Sequence, residues 1–300
     1  MKKTTVLAIT FLMLVLGACA DDPKPDSAKQ STAPRGKESF NQSFAGAKAY
    51  PVLASSEVVV GPNRFLVGLL NDEDAPIGSP DIKVYLSFFE LDSDTERAAF
   101  VAGTEFIETL PGGRGLYVAQ AEFTSAGTWG LEAHIVGEGI DETLRASFDV
   151  LKSSKTPAIS APAPRSKTPT SDDDKLRNIS SDPHPDPRFY EMSIDEAVTS
   201  GRPSVIVFAT PKFCTSQVCG PTLETVKRES RTYKGVNFLH VEVYSNLDDP
   251  SNLKLVPTVK QWGLPSEPWV FVVDANGKVA AKFEGTVSAE ELAAALKRLR

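Results

Sequence analysis

From Tyr50 to Leu151 the chain runs as short apolar segments broken by Gly, Pro, Asp and Asn. The pattern predicts strands over Glu57–Val60, Arg64–Leu70, Lys83–Phe89, Leu116–Phe123, Thr128–Val136 and Leu144–Val150. Alternation is clearest in Tyr117-Val118-Ala119-Gln120-Ala121-Glu122-Phe123, where every second residue is available to one face. No helical period of comparable length competes with it. Short strands separated by turn signals predict an antiparallel β-sandwich over residues 50–151.

The last third changes period. Ser193-Ile194-Asp195-Glu196 is a capping box that opens a short helix, stopped by Gly201. Val205-Ile206-Val207-Phe208-Ala209 is an unbroken apolar run of strand-forming types, expected of a central strand buried on both faces. A helical stretch from about Pro221 to Tyr233 follows, then a strand over Val236–Tyr244. Trp269–Asp274 and Val279–Glu284 read as a hairpin turning at Asn276-Gly277. Ser288-Ala289-Glu290-Glu291 is a second capping box and opens a helix over Ala289–Leu299. The helix between the first two strands supplies the crossover that a parallel pair requires. The expectation for 189–300 is an α/β domain with a four-stranded mixed sheet.

Two further segments fit neither pattern. Residues 19–49 are polar and rich in Pro, Ser and Lys, and read as a flexible tether. Residues 152–188, with Ala161-Pro162-Ala163-Pro164, Asp172-Asp173-Asp174 and Pro183-His184-Pro185-Asp186-Pro187, read as a Pro/Ser-rich linker unable to offset its own ordering entropy. The net charge is −7 and no basic run is dense enough to track phosphates, which argues against a nucleic-acid partner.

The N-terminus reads as an export signal. Met1-Lys2-Lys3 is a cationic head, and Thr4 to Leu16 is an uncharged apolar run too short to span a bilayer. Its end, Leu16-Gly17-Ala18-Cys19, resembles the bacterial lipobox. That resemblance implies removal of residues 1–18, acylation (palmitate-type chains) at Cys19, and an extracytoplasmic protein held to a bacterial membrane through its lipid.

Gly115-Leu116-Tyr117 and Phe123-Thr124-Ser125-Ala126-Gly127-Thr128-Trp129 resemble the YtkA-like and CopC-like immunoglobulin-type modules. Some relatives of those modules bind copper through His and Met. Residues 50–151 hold one His, His134, and no Met, so no metal site is expected there. Residues 189–300 resemble a thioredoxin fold. Cys214 and Cys219 follow the first central strand, and Glu267-Pro268-Trp269 precedes the hairpin where thioredoxin-like proteins keep a cis-proline facing the reactive sulfur. The whole chain thus reads as multidomain: an N-terminal antiparallel β-sandwich and a C-terminal α/β thioredoxin-like domain.

With Cys19 acylated, Cys214 and Cys219 are the remaining cysteines and have no competitor inside the chain. The thiolate is the nucleophile of disulfide exchange, and a helix N-terminus favours an anion. Lys212 adds a nearby positive charge. These considerations make Cys214 the attacking thiol, Cys219 the resolving one, Pro268 the residue facing them, and Lys212 and Glu267 modulators. Two departures from thioredoxin stand out. Four residues separate the cysteines instead of two. On a regular helix they would sit about 7.5 Å apart in rise and roughly 140° in rotation. That exceeds disulfide reach, so an irregular turn is expected, with the helix starting near Cys219 or Gly220. The central strand also lacks the carboxylate that serves thioredoxins as proton acceptor.

Three functions stay open at this point. The first is a membrane-tethered thiol–disulfide oxidoreductase acting on exported protein thiols or disulfides, without a cofactor. The second is a non-catalytic adaptor in which the two cysteines form a structural disulfide. The third is a Cu(I) chaperone similar to the Sco type, which would need a histidine ligand. His240 reads as a core residue of the sheet instead.

Overall fold

A computed structural model describes residues 36–299, apart from Gln42, Pro111 and Gly113. The expected signal, Cys19 and most of the tether lie outside the described residues. Two antiparallel sheets come first, built from β1 (Tyr50–Leu53), β2 (Gly61–Leu70), β3 (Pro76–Ile77), β4 (Lys83–Glu90), β5 (Phe100–Gly103), β6 (Glu105–Leu110), β7 (Arg114–Phe123), β8 (Gly127–Gly137) and β9 (Ile140–Val150). One sheet runs β1-β2-β7-β6 with β3 beside β2; the other runs β5-β4-β8-β9.

Alternation explains their stacking. Phe65, Val67 and Leu69 of β2 and Tyr117, Ala119, Ala121 and Phe123 of β7 meet Val84, Leu86 and Phe88 of β4 and Trp129, Leu131, Ala133 and Ile135 of β8 in one core. Each large side chain buried there contributes about 1.5–3 kcal/mol. The Phe65, Phe88, Phe123 and Trp129 rings meet edge to face or tilted, the arrangement their quadrupoles favour.

The region expected as a strand over Glu57–Val60 is instead a loop between β1 and β2 with a single bridge at Val59. Its turn is fixed by Asn63, whose side chain accepts the Val59 N–H at 2.9 Å and donates to the Val59 carbonyl at 2.6 Å. β1, β3, β5 and β6 lie outside the expected strands; all four are short, two to six residues.

The C-terminal part contains α1 (Leu176–Ile179), α2 (Ile194–Ala197), β10 (Ser204–Ala209), α3 (Cys219–Ser230), β11 (Asn237–Glu242), β12 (Tyr244–Ser245), β13 (Lys254–Leu255), α4 (Pro257–Gln261), β14 (Trp269–Val273), β15 (Val279–Glu284) and α5 (Ala289–Lys297). The main sheet runs β11-β10-β14-β15. β10 pairs parallel with β11 and antiparallel with β14. This is the expected four-stranded mixed sheet. Both of its faces are covered, which is why β10, β11 and β14 are buried along their whole length. Both capping boxes form: Glu196 accepts the Ser193 N–H at 2.9 Å, and Glu291 accepts the Ser288 N–H at 3.0 Å.

Residues 152–188 correct the linker expectation. The segment forms a fitted strap. Ser160 and Ala163 give their N–H groups to the Val279 and Gly277 carbonyls at the start of β15, at 2.8 and 2.9 Å. Ser166 accepts the buried Trp262 indole N–H at 3.2 Å, and the Thr168 hydroxyl accepts the Ile194 N–H at 3.1 Å. Ser181 gives its N–H to the Glu242 carboxylate at 2.8 Å, and Asp182 pairs with Lys227 of α3 at 2.8 Å. Low apolar content hid this, because the strap is held by polar atoms with fixed partners and not by a core of its own.

All described residues belong to one compact unit. On the first sheet, Leu66, Ile107 and Val118 point away from the sandwich core and are nonetheless buried. The C-terminal part covers that side: a Cβ on Gly285 would lie 3.8 Å from Leu66.

Candidate dithiol site

The carboxyl end of the mixed sheet collects the chemistry. Register places Ala209 opposite Glu242 of β11 and Phe208 opposite Trp269 of β14. The residues just beyond, Thr210 on one strand and Glu267-Pro268 on the other, therefore meet at that edge. The Glu267–Pro268 bond is cis. The Pro268 carbonyl accepts the Gly285 N–H at 2.8 Å, which ties the segment before β14 to the end of β15.

Cys214 and Cys219 come together there, both as free thiols. The irregular turn expected from their spacing is present. Residues 215–217 loop outward with Gln217 in the left-handed region, at φ 62°, and α3 begins at Cys219. The loop folds Cys214 back over the start of α3. Its sulfur accepts the Cys219 thiol hydrogen and the backbone N–H groups of Cys219 and Ser216, and lies 3.1 Å from the Ser216 hydroxyl. The first N–H of the helix thus does reach the sulfur, although Cys214 stands outside the helix.

These donors set the acidity. The hydrogen bond from the Cys219 thiol, followed by those from Ser216 and the backbone, holds Cys214 at about 5 against the resistance of burial. Cys219 is fully buried. Its own donation to Cys214 and its burial push its thiol strongly up, while the Thr210 N–H pulls the other way. The pair is split into a half-buried thiolate and a protonated interior thiol. Lys212 does not take the modulating part expected of it. Its ammonium sits 5.2 Å from the Phe213 ring centroid, and the groups holding the thiolate down are Cys219 and Ser216.

Glu267 is half-buried beside the thiols. Burial, then the Cys214 and Glu242 charges, raise its carboxyl above the usual range. Three residues were missed. Ser216 was seen as a loop position only. Glu242 is 5% exposed and holds the N–H groups of Ser181 and Val243 at 2.8 and 3.0 Å. The Tyr244 hydroxyl is pushed up by partial burial and by Glu267, Cys219 and Glu242. A pairing register was needed to find Glu242; its place between Val241 and Val243 in a strand-forming stretch was the available signal.

His240 lies behind this edge, buried, with Nε2 3.0 Å from the Ala209 carbonyl and Nδ1 2.7 Å from the Tyr190 hydroxyl. Burial lowers its pKa and keeps the ring neutral. Both nitrogens are engaged, so the ring is not presented to a metal on the cysteines. Among the described residues no group of three His, Cys, Asp or Glu is placed to hold a metal ion.

The family model described as a thioredoxin-like domain matches residues 190–300. Among solved structures, a DUF4426 family protein from Pseudomonas aeruginosa PAO1 matches with 13% identity and a TM-score of 0.24, covering 35% of this chain and 91% of that one. No curated protein matches.

Proposed function

We propose that this chain, whose residues 190–300 form a thioredoxin-like domain, is a thiol–disulfide oxidoreductase working through Cys214 and Cys219. The observation that carries the reading is the placement of two free thiols, half-buried Cys214 and buried Cys219, at the start of α3 at the sheet edge that holds the cis Glu267–Pro268 bond.

In the reducing direction the Cys214 thiolate attacks one sulfur of a partner disulfide. The Cys214–partner bond forms, the partner S–S bond breaks, and the partner's second sulfur leaves as a thiolate. Cys219 then gives up its proton and attacks the Cys214 sulfur. The intramolecular disulfide forms, the partner's first sulfur is released, and two electrons have moved to the partner. Glu267 is the carboxyl that accepts the Cys219 proton, standing in for the acid missing from β10. Oxidation of a dithiol partner is the same sequence reversed.

The partners are exported protein thiols or disulfides, met outside the cytoplasm by a protein anchored through acylated Cys19. Support for the anchor is the Leu16-Gly17-Ala18-Cys19 sequence after an uncharged apolar run. A Cys219→Ser variant incubated with a disulfide-bonded peptide tests the exchange. A trapped Cys214–peptide disulfide is expected; capture at no cysteine, or capture equal in Cys214→Ser, overturns the reading. For the anchor, a Cys19→Ser chain should leave the detergent phase for the aqueous phase; unchanged partition overturns it.

A further inference from the structure

The β-sandwich grips the two chain segments that flank the dithiol. Ser56, between β1 and β2, gives its N–H to the Glu284 carboxylate at 2.9 and 3.0 Å. That carboxylate also accepts the Ser266 hydroxyl at 2.8 Å, and the Ser56 and Ser266 hydroxyl oxygens lie 3.2 Å apart. Ser266 directly precedes Glu267 and Pro268. From β2, Arg64 places Nε and Nη2 on the Glu291 carboxylate at 2.6 and 3.0 Å and Nη1 on the Glu284 carbonyl at 3.1 Å. Its side chain is 10% exposed. The next residue, Gly285, bonds Pro268 through its N–H and accepts the Thr222 hydroxyl of α3 at 3.3 Å. The contacts therefore run from Arg64 through Glu284 and Gly285 to both sides of the cysteine pair.

A separable binding module joined by a tether has no need of this arrangement. A two-pronged guanidinium–carboxylate pair fixes direction as well as distance. Here it joins the β-sandwich to Glu291 of α5, while Nη1 of the same guanidinium holds the Glu284 carbonyl at the end of β15, one residue before the Gly285 that bonds Pro268. A second ion pair, Glu57 with Lys282 at 3.2 Å, joins the same two domains further back along β15; its side chains hydrogen-bond each other and residues 154–156 and not Glu267 or Pro268, and the Lys282 ammonium lies 5.8 Å from the Trp269 ring centroid. It serves as an internal control.

We propose that the β-sandwich is part of the dithiol site, with Arg64 a positioning residue that holds the Glu267–Pro268 segment against Cys214 and Cys219 for exchange with polypeptide disulfides. The proposal rests on the oxidoreductase reading, but one arm of its test does not depend on exchange.

That arm is the pH profile of Cys214 alkylation by iodoacetamide in the full chain. The other is the exchange rate with a disulfide-bonded peptide and with a small aromatic disulfide. In Arg64→Met the Glu267 carboxylate is freed from its place beside Cys214, so the alkylation midpoint moves down. Peptide exchange slows on the order of tenfold, while the small disulfide, which needs no oriented groove, changes less than about twofold. Arg64→Lys keeps the charge but not the two-pronged geometry, and falls between the two. Glu57→Gln weakens the domain contact and leaves profile and rates at wild-type values. If Arg64→Met does not fold, Ser266→Ala cuts the neighbouring link from Ser56 and Glu284 to the residue before Glu267, with the loss of one hydroxyl, and carries the same expectations. An Arg64 or Ser266 profile superimposable on wild type overturns the proposal, as does an equal shift in Glu57→Gln. Failure of the wild-type chain to exchange with either disulfide overturns the oxidoreductase reading alone, and the alkylation comparison still decides the role of Arg64.

Discussion

The Cys219 thiol and the Cys219 backbone N–H both donate to the sulfur of Cys214. One residue thereby supplies two of the contacts that hold its partner as a thiolate. The four-residue spacing makes this possible, because the outward loop returns Cys214 to the first turn of α3. Replacing Cys219 with Ala removes the thiol donor and leaves the backbone one. The Cys214 alkylation midpoint should rise from about 5 toward the free-thiol value, by at least one pH unit. A midpoint unchanged in Cys219→Ala would contradict the assignment.

The same ionisation links stability to pH. Cys214 has its folded pKa depressed from 9.0 to about 5, so its contribution is fully present above pH 9 and is lost as pH falls through 5. Cys219 has its folded pKa raised, so its contribution is present below pH 9 and fades above it. Urea midpoints of the reduced chain should climb between pH 5 and 9 relative to a Cys214→Ser chain. Parallel curves for the two chains across that window would refute the linkage.

Glu267→Gln separates the two chemical steps. Removing the carboxylate takes a negative charge from beside Cys214, so attack by Cys214 is kept or quickened. Release of the mixed disulfide slows on the order of a hundredfold, because Cys219 loses its proton acceptor. Stopped-flow measurement of both steps checks this; equal slowing of both would remove Glu267 from the proton path.

Much of this architecture is legible in the sequence. The β14–β15 hairpin is written in Asn276-Gly277, where Gly277 takes φ 75° and sits so close to the Val198 carbonyl that a Cβ would come within 2.7 Å. The two capping boxes are equally local. The strap is not legible, since Ser166, Thr168 and Asp182 look like any solvated loop until Trp262, Ile194 and Lys227 are brought to them. Glu57 has the sequence neighbours of a strand residue, Val58, Val59 and Val60, while its partner, Lys282, is remote in the chain. The thiols and Pro268 were found through their places after β10 and before β14, whereas Glu242 and Ser216 depend on register and loop path.

The strap should therefore respond to loss of one buried partner. Lys227 and Asp182 have side chains 9% and 4% exposed. Lys227→Met leaves the Asp182 carboxylate buried without its cation, a cost of about 3 kcal/mol. Amide hydrogens of Ser180 to His184 should exchange faster, with the sandwich amides unchanged. Uniform protection in both chains would mean that the strap does not depend on this pair.

Gln217 holds a left-handed backbone at φ 62° without glycine's freedom. Gln217→Gly should raise stability by about 1 kcal/mol, read as a higher denaturation midpoint, with the Cys214 alkylation profile retained. A lower midpoint would show that the Gln217 side chain contributes more than its backbone costs.

The central claim is that Cys214 and Cys219 exchange disulfides with partners and do not merely staple the fold. The reduction potential of the pair, measured by equilibration of the full chain with glutathione buffers, tests it most directly. The account predicts a value among the dithiol exchange catalysts, about −270 to −120 mV. A value below about −300 mV, that of an inert structural disulfide, would contradict it.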